Sequence, residues 1–210
     1  MDEENVQLSK KQYSHSLGEV WHLDSCPDDV RLFTSTFGEK AGPGGWRKGC
    51  AVLRFPEGCE EVEEEGGELE LLTRLDSVVG GREVSSVTWH PADSSKVLCL
   101  SGDLSVLTEL SGGEAREVWR ALHTVRGQTK IETAGWNPHR NYHQLATASG
   151  SQVIGWDTRT GEQSWTLHTN NNNNNSAIRR GLTRKITVRS IIKGISPCLN
   201  GFIVLSHYFQ

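Results

Sequence analysis

The stretch VSSVTWHP at residues 84–91 recurs, with substitutions, as IETAGWNP at residues 131–138. The second copy begins 47 positions after the first. The corresponding positions are Trp89 and Trp136, and Pro91 and Pro138. Residues rich in Val, Ile, Thr and Trp that lead into a Pro-containing turn are typical of a short strand. A repeat of this length built from short strands is typical of a propeller, in which each repeat is one small sheet, or blade.

Two further matches extend the repeat. KVLCLSG at residues 96–102 corresponds to QLATASG at residues 144–150. A weaker third copy is EVWHLDSCP at residues 19–27, which is followed by strand-like residues 30–36. Its greater distance from the second copy is explained by an insertion at residues 56–68, which contains the acidic run EEVEEE.

The chain before the run of six Asn contains about twelve strand-like segments, and four strands per blade make three blades. They lie near residues 19–23, 30–36, 49–55, 69–75, 84–90, 96–101, 104–110, 115–122, 131–136, 144–149, 152–157 and 163–168. We therefore predict an all-β fold, an incomplete propeller over residues 1–169. The predicted units are blades at roughly 13–75, 84–122 and 131–168, a low-complexity poly-Asn linker at 170–175, and a basic non-propeller tail at 176–210.

Charge and composition exclude several classes of function. Residues 1–175 carry a net charge of −10, while the tail from residue 176 has six basic and no acidic residues. An acidic body repels phosphates, so nucleic acid is not predicted as a partner. No stretch approaches the ~18 apolar residues of a membrane span, and the acidic N-terminus does not resemble a secretory signal. The 5 Cys residues are scattered without a CxxC pair, which favours reduced thiols in the cytosol.

Several segments carry a closer resemblance. They are GEVWHL at 18–23, ELLTRLD at 70–76, the two Trp-x-Pro turns, and QLATASGSQVIGWDTR at 144–159. Together they resemble the WD-repeat family of EARP- and GARP-complex-interacting proteins, over roughly residues 1–168. The resemblance implies a seven-bladed ring, of which this chain supplies about three blades. It also implies a scaffold for vesicle-tethering complexes in endosomal recycling and endosome-to-Golgi retrograde transport, located in the cytoplasm at the periphery of endosomes and the trans-Golgi network.

The resemblance also implies a structural blade motif. Its positions here are Trp89, Pro91, Asp103, Trp136, Pro138, Trp156 and Asp157. WD blades typically bury a hydrogen-bonded His, Ser or Thr, Asp and Trp. In the third blade Gly150 occupies the usual Asp position, and in the second blade Thr108 stands near the expected Trp. We therefore expect neither blade to carry the full network, and both to depend on apolar packing instead.

No residue pattern predicts catalysis. His139 and His143 are four apart but follow Pro138, so we expect a surface loop rather than a zinc site. His22 and His90 each follow a Trp, and strand alternation predicts partial exposure for both. We predict no catalytic residue, no cofactor, no metal and no small-molecule substrate, and therefore not an enzyme.

Two places are candidate partner contacts. The acidic run could steer a basic partner surface, although a solvated insertion is the simpler interpretation. Its acidic residues are Glu60, Glu61, Glu63, Glu64 and Glu65. The WDxR pattern that ends at Arg159 favours an alternative function, a substrate receptor of a cullin-type ubiquitin ligase or a histone-binding WD protein.

Overall fold

Three antiparallel sheets of four strands each account for most of the described chain. The structure is a computed structural model, and it describes residues 11–42, 45–57, 67–123, 130–150, 152–168 and 204–206. The first blade consists of β2 (Glu19–Ser25), β3 (Leu32–Lys40), β4 (Trp46–Arg54) and β5 (Glu70–Arg74). The second consists of β6 (Ser86–His90), β7 (Asp93–Ser101), β8 (Leu104–Ser111) and β9 (Glu114–Leu122). The third consists of β10 (Thr133–Trp136), β11 (Gln144–Ser149), β12 (Gln152–Asp157) and β13 (Gln163–His168).

The strands of each blade are hydrogen-bonded in chain order. This meander confirms the predicted all-β fold with three four-stranded blades, and the bounds predicted for β11, β12 and β13 agree with the structure. Within the described ranges the helical structure is one 3-10 turn, Pro138–Arg140. A further strand pair, β1 (Gln12–Ser14) with β14 (Val204–Ser206), is parallel and was not predicted. The predicted linker 170–175 and most of the tail lie outside the described residues, so the domain division stays a prediction.

The blades pack face to face because alternate residues of one strand point to opposite sides. In β7, Val97 and Cys99 join an apolar cluster with Cys50 and Val52 of the first blade. The intervening Leu98 and Leu100 join a second cluster with the third blade. The middle blade is thus buried on both sides, which explains why its central strands read as continuous apolar runs.

The repeated Ser-Gly unit has a physical explanation. Ser101 Oγ donates a hydrogen bond to the carbonyl oxygen of Glu83 at 2.8 Å, and Ser149 Oγ donates to that of Lys130 at the same distance. Each bond ties the end of a blade's second strand to the segment leading into its first strand. The glycine that follows, Gly102 or Gly150, turns the chain with a positive φ that an L side chain adopts with difficulty.

The face of the first blade that points away from the second is covered by the N-terminal segment. Phe33, Leu53 and Phe55 form a buried cluster with Tyr13 of β1, and Leu17 packs against it. The Tyr13 and Phe55 ring centroids are 4.9 Å apart. This segment therefore caps one end of the stack.

Candidate functional site

The joint between the second and third blades is held by a chain of buried polar side chains. Trp156 Nε1 donates a hydrogen bond to Thr147 Oγ1 at 2.9 Å, and that oxygen lies 3.3 Å from His123 Nδ1. The other ring nitrogen of His123, Nε2, lies 3.2 Å from Ser105 Oγ on the second blade. As expected, the blade lacks the full network, because Gly150 occupies the Asp position, but three of the four usual members are present, so the expectation of apolar packing instead of a polar network was wrong.

His123 is neutral at pH 7. Burial lowers its pKa to about 4, although the nearby Asp103 charge acts in the opposite direction. The neutral tautomer with its proton on Nδ1 fits all the contacts, because Nδ1 then donates to Thr147 Oγ1, the Thr147 hydroxyl donates to the carbonyl oxygen of Ile154 at 3.4 Å, and Ser105 Oγ donates to Nε2. Each polar atom in the chain then has a partner, which is the condition under which a buried network stabilises a fold.

The first joint, between the first and second blades, has different chemistry at corresponding positions. Asp76 precedes His123 by 47 residues, and its Oδ1 accepts a hydrogen bond from the backbone N of Cys50 at 3.1 Å. Cys50 and Cys99 lie in one buried cluster, and the Cys99 thiol together with burial raises the pKa of Cys50. Thr108 occupies the place of Trp156, and its buried Oγ1 has no hydrogen-bond partner among the described residues.

Asp76 is also held by cations. Its Oδ2 accepts from Arg74 Nε at 2.6 Å, and the rest of the Arg74 guanidinium forms two hydrogen bonds with Glu39 at 3.0 and 3.2 Å. The contacts with Arg74 lower the pKa of Glu39, and the Arg74 hydrogen bond is the largest cause. Asp76 can thus occupy the position that the neutral His123 occupies in the next joint, because Arg74 neutralises the charge of Asp76.

The two repeated tryptophans each reach back to the preceding blade. Trp89 donates from its backbone N to Asp24 Oδ2 at 2.7 Å and from Nε1 to the Asp24 carbonyl at 3.1 Å. Burial raises the pKa of Asp24 to about 6, partly offset by the Trp89 hydrogen bond. Trp136 packs edge-on against His90, with ring centroids 4.6 Å apart. The repeated Trp therefore contacts the first strand of the neighbouring blade.

His90 is buried, so the prediction of partial exposure was wrong for it. Trp89 lies against the first blade and His90 against Trp136 of the third, as strand alternation predicts, and His90 is buried because the third blade covers its side of the sheet. His22 is exposed. Pro91 lies in the turn between β6 and β7, and Pro138 begins the 3-10 turn, which the Asn137 side chain caps by accepting from His139 N at 3.0 Å.

The remaining predicted motif residues lie in turns at the ends of strands. Asp103 Oδ1 accepts from Arg82 Nη1 at 2.8 Å, while its carbonyl accepts from His123 N. Asp157 holds Arg159 by three hydrogen bonds, from the backbone N, Nε and Nη2 at 3.0, 3.2 and 2.9 Å. These bonds lower the pKa of Asp157. Arg159 is exposed, but its charge is matched by Asp157.

Asp157 and Arg159 line one side of a polar cleft on the third blade. The other lining residues are Asn141, His143 and Gln144. Asn141 adopts a positive φ of 48° and Tyr142 one of 57°, so the loop that forms this wall has a conformation uncommon for residues other than glycine. His139 is exposed. The acidic candidates at positions 60, 61, 63, 64 and 65 lie outside the described residues.

Over the described ranges, no group of three or more His, Cys, Asp or Glu side chains is arranged to hold a metal ion. Cys26, Cys50 and Cys99 are buried free thiols. None of the helical structure in those ranges is long and apolar enough to cross a membrane. The polar side-chain contacts described above hold the blades together and shape their turns.

Sequence reasoning missed His123, Thr147 and Asp76. The repeat contained the necessary signal, because a shift of 47 positions relates Asp76 to His123 just as it relates the two Trp-x-Pro turns. The two residues differ in type, however, so a comparison of residue identities does not connect them.

No protein-family model matches the chain. The chain is 32% identical over 177 residues to EARP and GARP complex-interacting protein 1 of Rattus norvegicus, covering 79% of this chain and 45% of the relative. It is 27% identical over 154 residues to WD repeat-containing protein DWA2 of Arabidopsis thaliana, covering 73% of this chain and 41% of that protein. The chain thus spans about half the length of the curated relatives it matches.

Among solved structures, the crystal structure of Saccharomyces cerevisiae Sqt1 is similar with a TM-score of 0.49 and 13% sequence identity. The similar region covers 75% of this chain and 49% of that one.

Proposed function

This chain belongs to the WD-repeat family of EARP- and GARP-complex-interacting proteins, and we propose that it is a non-catalytic scaffold that binds vesicle-tethering complexes of the EARP and GARP type. The observation that carries the proposal is the 32% identity with the rat relative over 79% of this chain, since that relative is named for its interaction with both complexes. The processes it would serve are endosomal recycling and endosome-to-Golgi retrograde transport.

The architecture supports a docking role. Stacked sheets offer rigid surfaces, and their turns present side chains on both sides of each blade. Polar side chains such as His123 and Asp76 are already hydrogen-bonded within the blade joints. Arg159, which is exposed, and the acidic run of the sequence remain as candidate partner contacts. Binding of the tethering complexes would place the protein in the cytoplasm, at the periphery of endosomes and the trans-Golgi network.

The test is direct binding of the full chain, immobilised through one terminus, to purified EARP and GARP complexes. We expect saturable binding to at least one complex, and competition by the rat relative. A chain denatured and coupled in the same way is the control. Binding to neither complex, with capture of a cullin-ligase adaptor or of histones instead, would contradict the proposal and favour the alternative function.

A further inference from the structure

The face of the first blade that points to the second blade carries an exposed aromatic patch at one end. Cys50 of β4 lies on this face, since it packs in one buried cluster with the second blade. Alternate residues of a strand share a face, so Lys48 and Trp46 continue the same side of β4 towards its first residue. Their strand partners on β3, Gly38 and Lys40, lie on that side as well.

Two tryptophans meet at a glycine in the centre of the patch. A Cβ atom on Gly38 would lie 3.2 Å from Cε3 of Trp46 and 3.3 Å from Nε1 of Trp21. Both indole rings therefore lie directly against this glycine, because it has no side chain to keep them away. The Lys48 ammonium lies 4.4 Å from the centre of the Trp21 ring, which is a cation–π contact. Trp21, Trp46, Lys40 and Lys48 form this Trp–Lys patch.

The two rings stay accessible although both blades of this joint are described. Trp21 is 51% exposed and Trp46 48%, whereas Trp119 and Trp156 in the next joint are 6% and 8% exposed. The second blade already packs on this face of the first, so the exposure is not that of a blade without a neighbour. Two large apolar side chains exposed side by side mark an interaction surface.

The charge of the patch indicates the class of partner. Lys40 and Lys48 place two positive charges on this face, and Glu19 of β2 adds one negative charge. Arg47 adds none, because it points to the other face and pairs with Glu39 at 3.6 Å. The patch is thus net positive on a body whose residues 1–175 carry −10. Such a local reversal of charge favours an acidic partner.

We propose that the Trp–Lys patch binds an acidic peptide segment of a partner protein. A large apolar side chain of the segment packs on Trp21 and Trp46, and its carboxylates pair with Lys40 and Lys48. An anionic membrane fits the patch less well, because a flat membrane faces the whole body with its charge of −10, whereas a peptide contacts the patch alone. This inference goes beyond the proposed function and does not depend on the binding of tethering complexes.

The acidic run of this chain is attached at the opposite end of β4. The connection that contains it leaves the strand after Arg54, whereas Trp46 begins the strand. Each strand residue advances the chain by ~3.3 Å, so the two ends of β4 are about 26 Å apart. The occupant is therefore assigned to another protein.

A library of random short peptides displayed on phage tests the proposal. It is selected on the immobilised full chain and, in parallel, on the full chain with Trp46→Ser and Lys48→Glu. We expect the natural chain to enrich peptides in which Asp or Glu flank a large apolar residue, and the double variant not to enrich them. The enriched peptide is then synthesised, and each single substitution should raise its Kd roughly tenfold.

Matched controls separate the patch from exposed residues elsewhere. Trp165→Ser removes an exposed Trp of the third blade, and Lys130→Glu reverses an exposed charge there. Both should leave the Kd unchanged, while added salt should weaken binding to the natural chain more than binding to Lys48→Glu. In nitrogen-15 spectra of the natural chain, which need no folded variant, the peptide should shift the indole signals of Trp21 and Trp46 but not that of Trp165.

Five outcomes would overturn the proposal. Three concern the peptide: no enrichment over the double variant, enrichment of neutral or basic peptides, or an equal shift of the Trp165 signal. Binding of the chain to phosphatidylserine vesicles that is lost in Trp46→Ser would assign the patch to a membrane instead. Tighter peptide binding after the five Glu of the acidic run are replaced with Gln would assign it to the chain's own acidic run.

Discussion

Thr147 and Thr108 are both buried in joints between blades, but only one of the two hydroxyls is paired. The Thr147 hydroxyl accepts from Trp156 and contacts His123, whereas the Thr108 hydroxyl is buried without a partner. Identical side chains thus make opposite contributions, because a buried polar group stabilises only when it is paired.

We predict that Thr147→Val lowers the free energy of unfolding by about 1–3 kcal/mol, since the isosteric change leaves Trp156 Nε1 and His123 Nδ1 without their partner. The matched control Thr108→Val removes an unpaired hydroxyl and should be neutral or stabilising. Urea unfolding followed by circular dichroism measures both. Equal losses for the two variants would show that the Thr147 network contributes nothing beyond packing.

His123 predicts a dependence of stability on pH. Its pKa is lowered to about 4 in the folded protein, so between pH 4 and the ordinary value of 6.5 the unfolded chain binds a proton that the folded chain does not. The contribution of His123 to the free energy of unfolding is therefore complete above pH 6.5. It decreases by ~3 kcal/mol, for a pKa shift of this size, as the pH falls toward 4.

The ionisation of Asp24 changes stability with pH in the direction opposite to that of His123. Its pKa is raised from 3.8 to about 6, so the folded chain holds a proton that the unfolded chain releases, and its contribution falls as the pH rises from 3.8 to 6. The His123 effect is isolated by comparing the natural chain with His123→Leu from pH 7 to pH 5, because Asp24 contributes equally to both. We expect the difference in unfolding free energy to shrink on acidification. A difference independent of pH would contradict the assignment of His123 as a buried neutral base.

At the scale of the element, β12 and β13 meet through a glycine. A Cβ on Gly155 would lie 2.1 Å from Trp165 Cε2, so the Trp165 ring lies directly on the backbone of β12. In the second blade Leu107 takes this position, so its partner Trp119 cannot lie as close to the backbone. The Trp165 ring can therefore lie against the backbone of β12 only because Gly155 has no side chain.

We predict that Gly155→Ala costs about 1–3 kcal/mol because the methyl group displaces the Trp165 ring. In a Trp165→Ala background the same substitution should cost much less. Thermal or urea unfolding of the four proteins completes a double-mutant cycle. Additive effects would mean that the clash is relieved elsewhere in the strand.

At the scale of the whole molecule, the residues up to 175 carry a net charge of −10, and the acidic run contributes five of the negative charges. Charges of this kind act mainly on the rate of association with a basic surface. Their contribution is therefore sensitive to ionic strength.

We predict that replacing Glu60, Glu61, Glu63, Glu64 and Glu65 with Gln lowers the rate of association with a tethering complex several-fold at low salt, leaves the dissociation rate nearly unchanged, and matters little at high salt. Surface plasmon resonance at two salt concentrations measures this. The control replaces the exposed Glu114 and Glu117 on β9 with Gln. The same slowing in both variants would mean that net charge, rather than the acidic run, sets the rate.

The strands, the turns and the number of blades were predictable from the sequence, since period-2 alternation and Ser-Gly or Trp-x-Pro turns are local properties repeated at a fixed spacing. The resemblance of the same motifs also predicted the family. The acidic run and the linker at 170–175 remain sequence predictions.

The contacts between blades were decided only by the tertiary structure. Ser105, His123, Thr147 and Trp156 come from two sheets and meet only when these stack, and the His90 ring is buried because the third blade covers the face on which alternation places it. Corresponding joints use Cys50, Asp76 and Cys99 in one case and Ser105, His123 and Thr147 in the other. A local pattern specifies which way a side chain points, but whether a buried polar atom is paired depends on the residue that another blade brings to it.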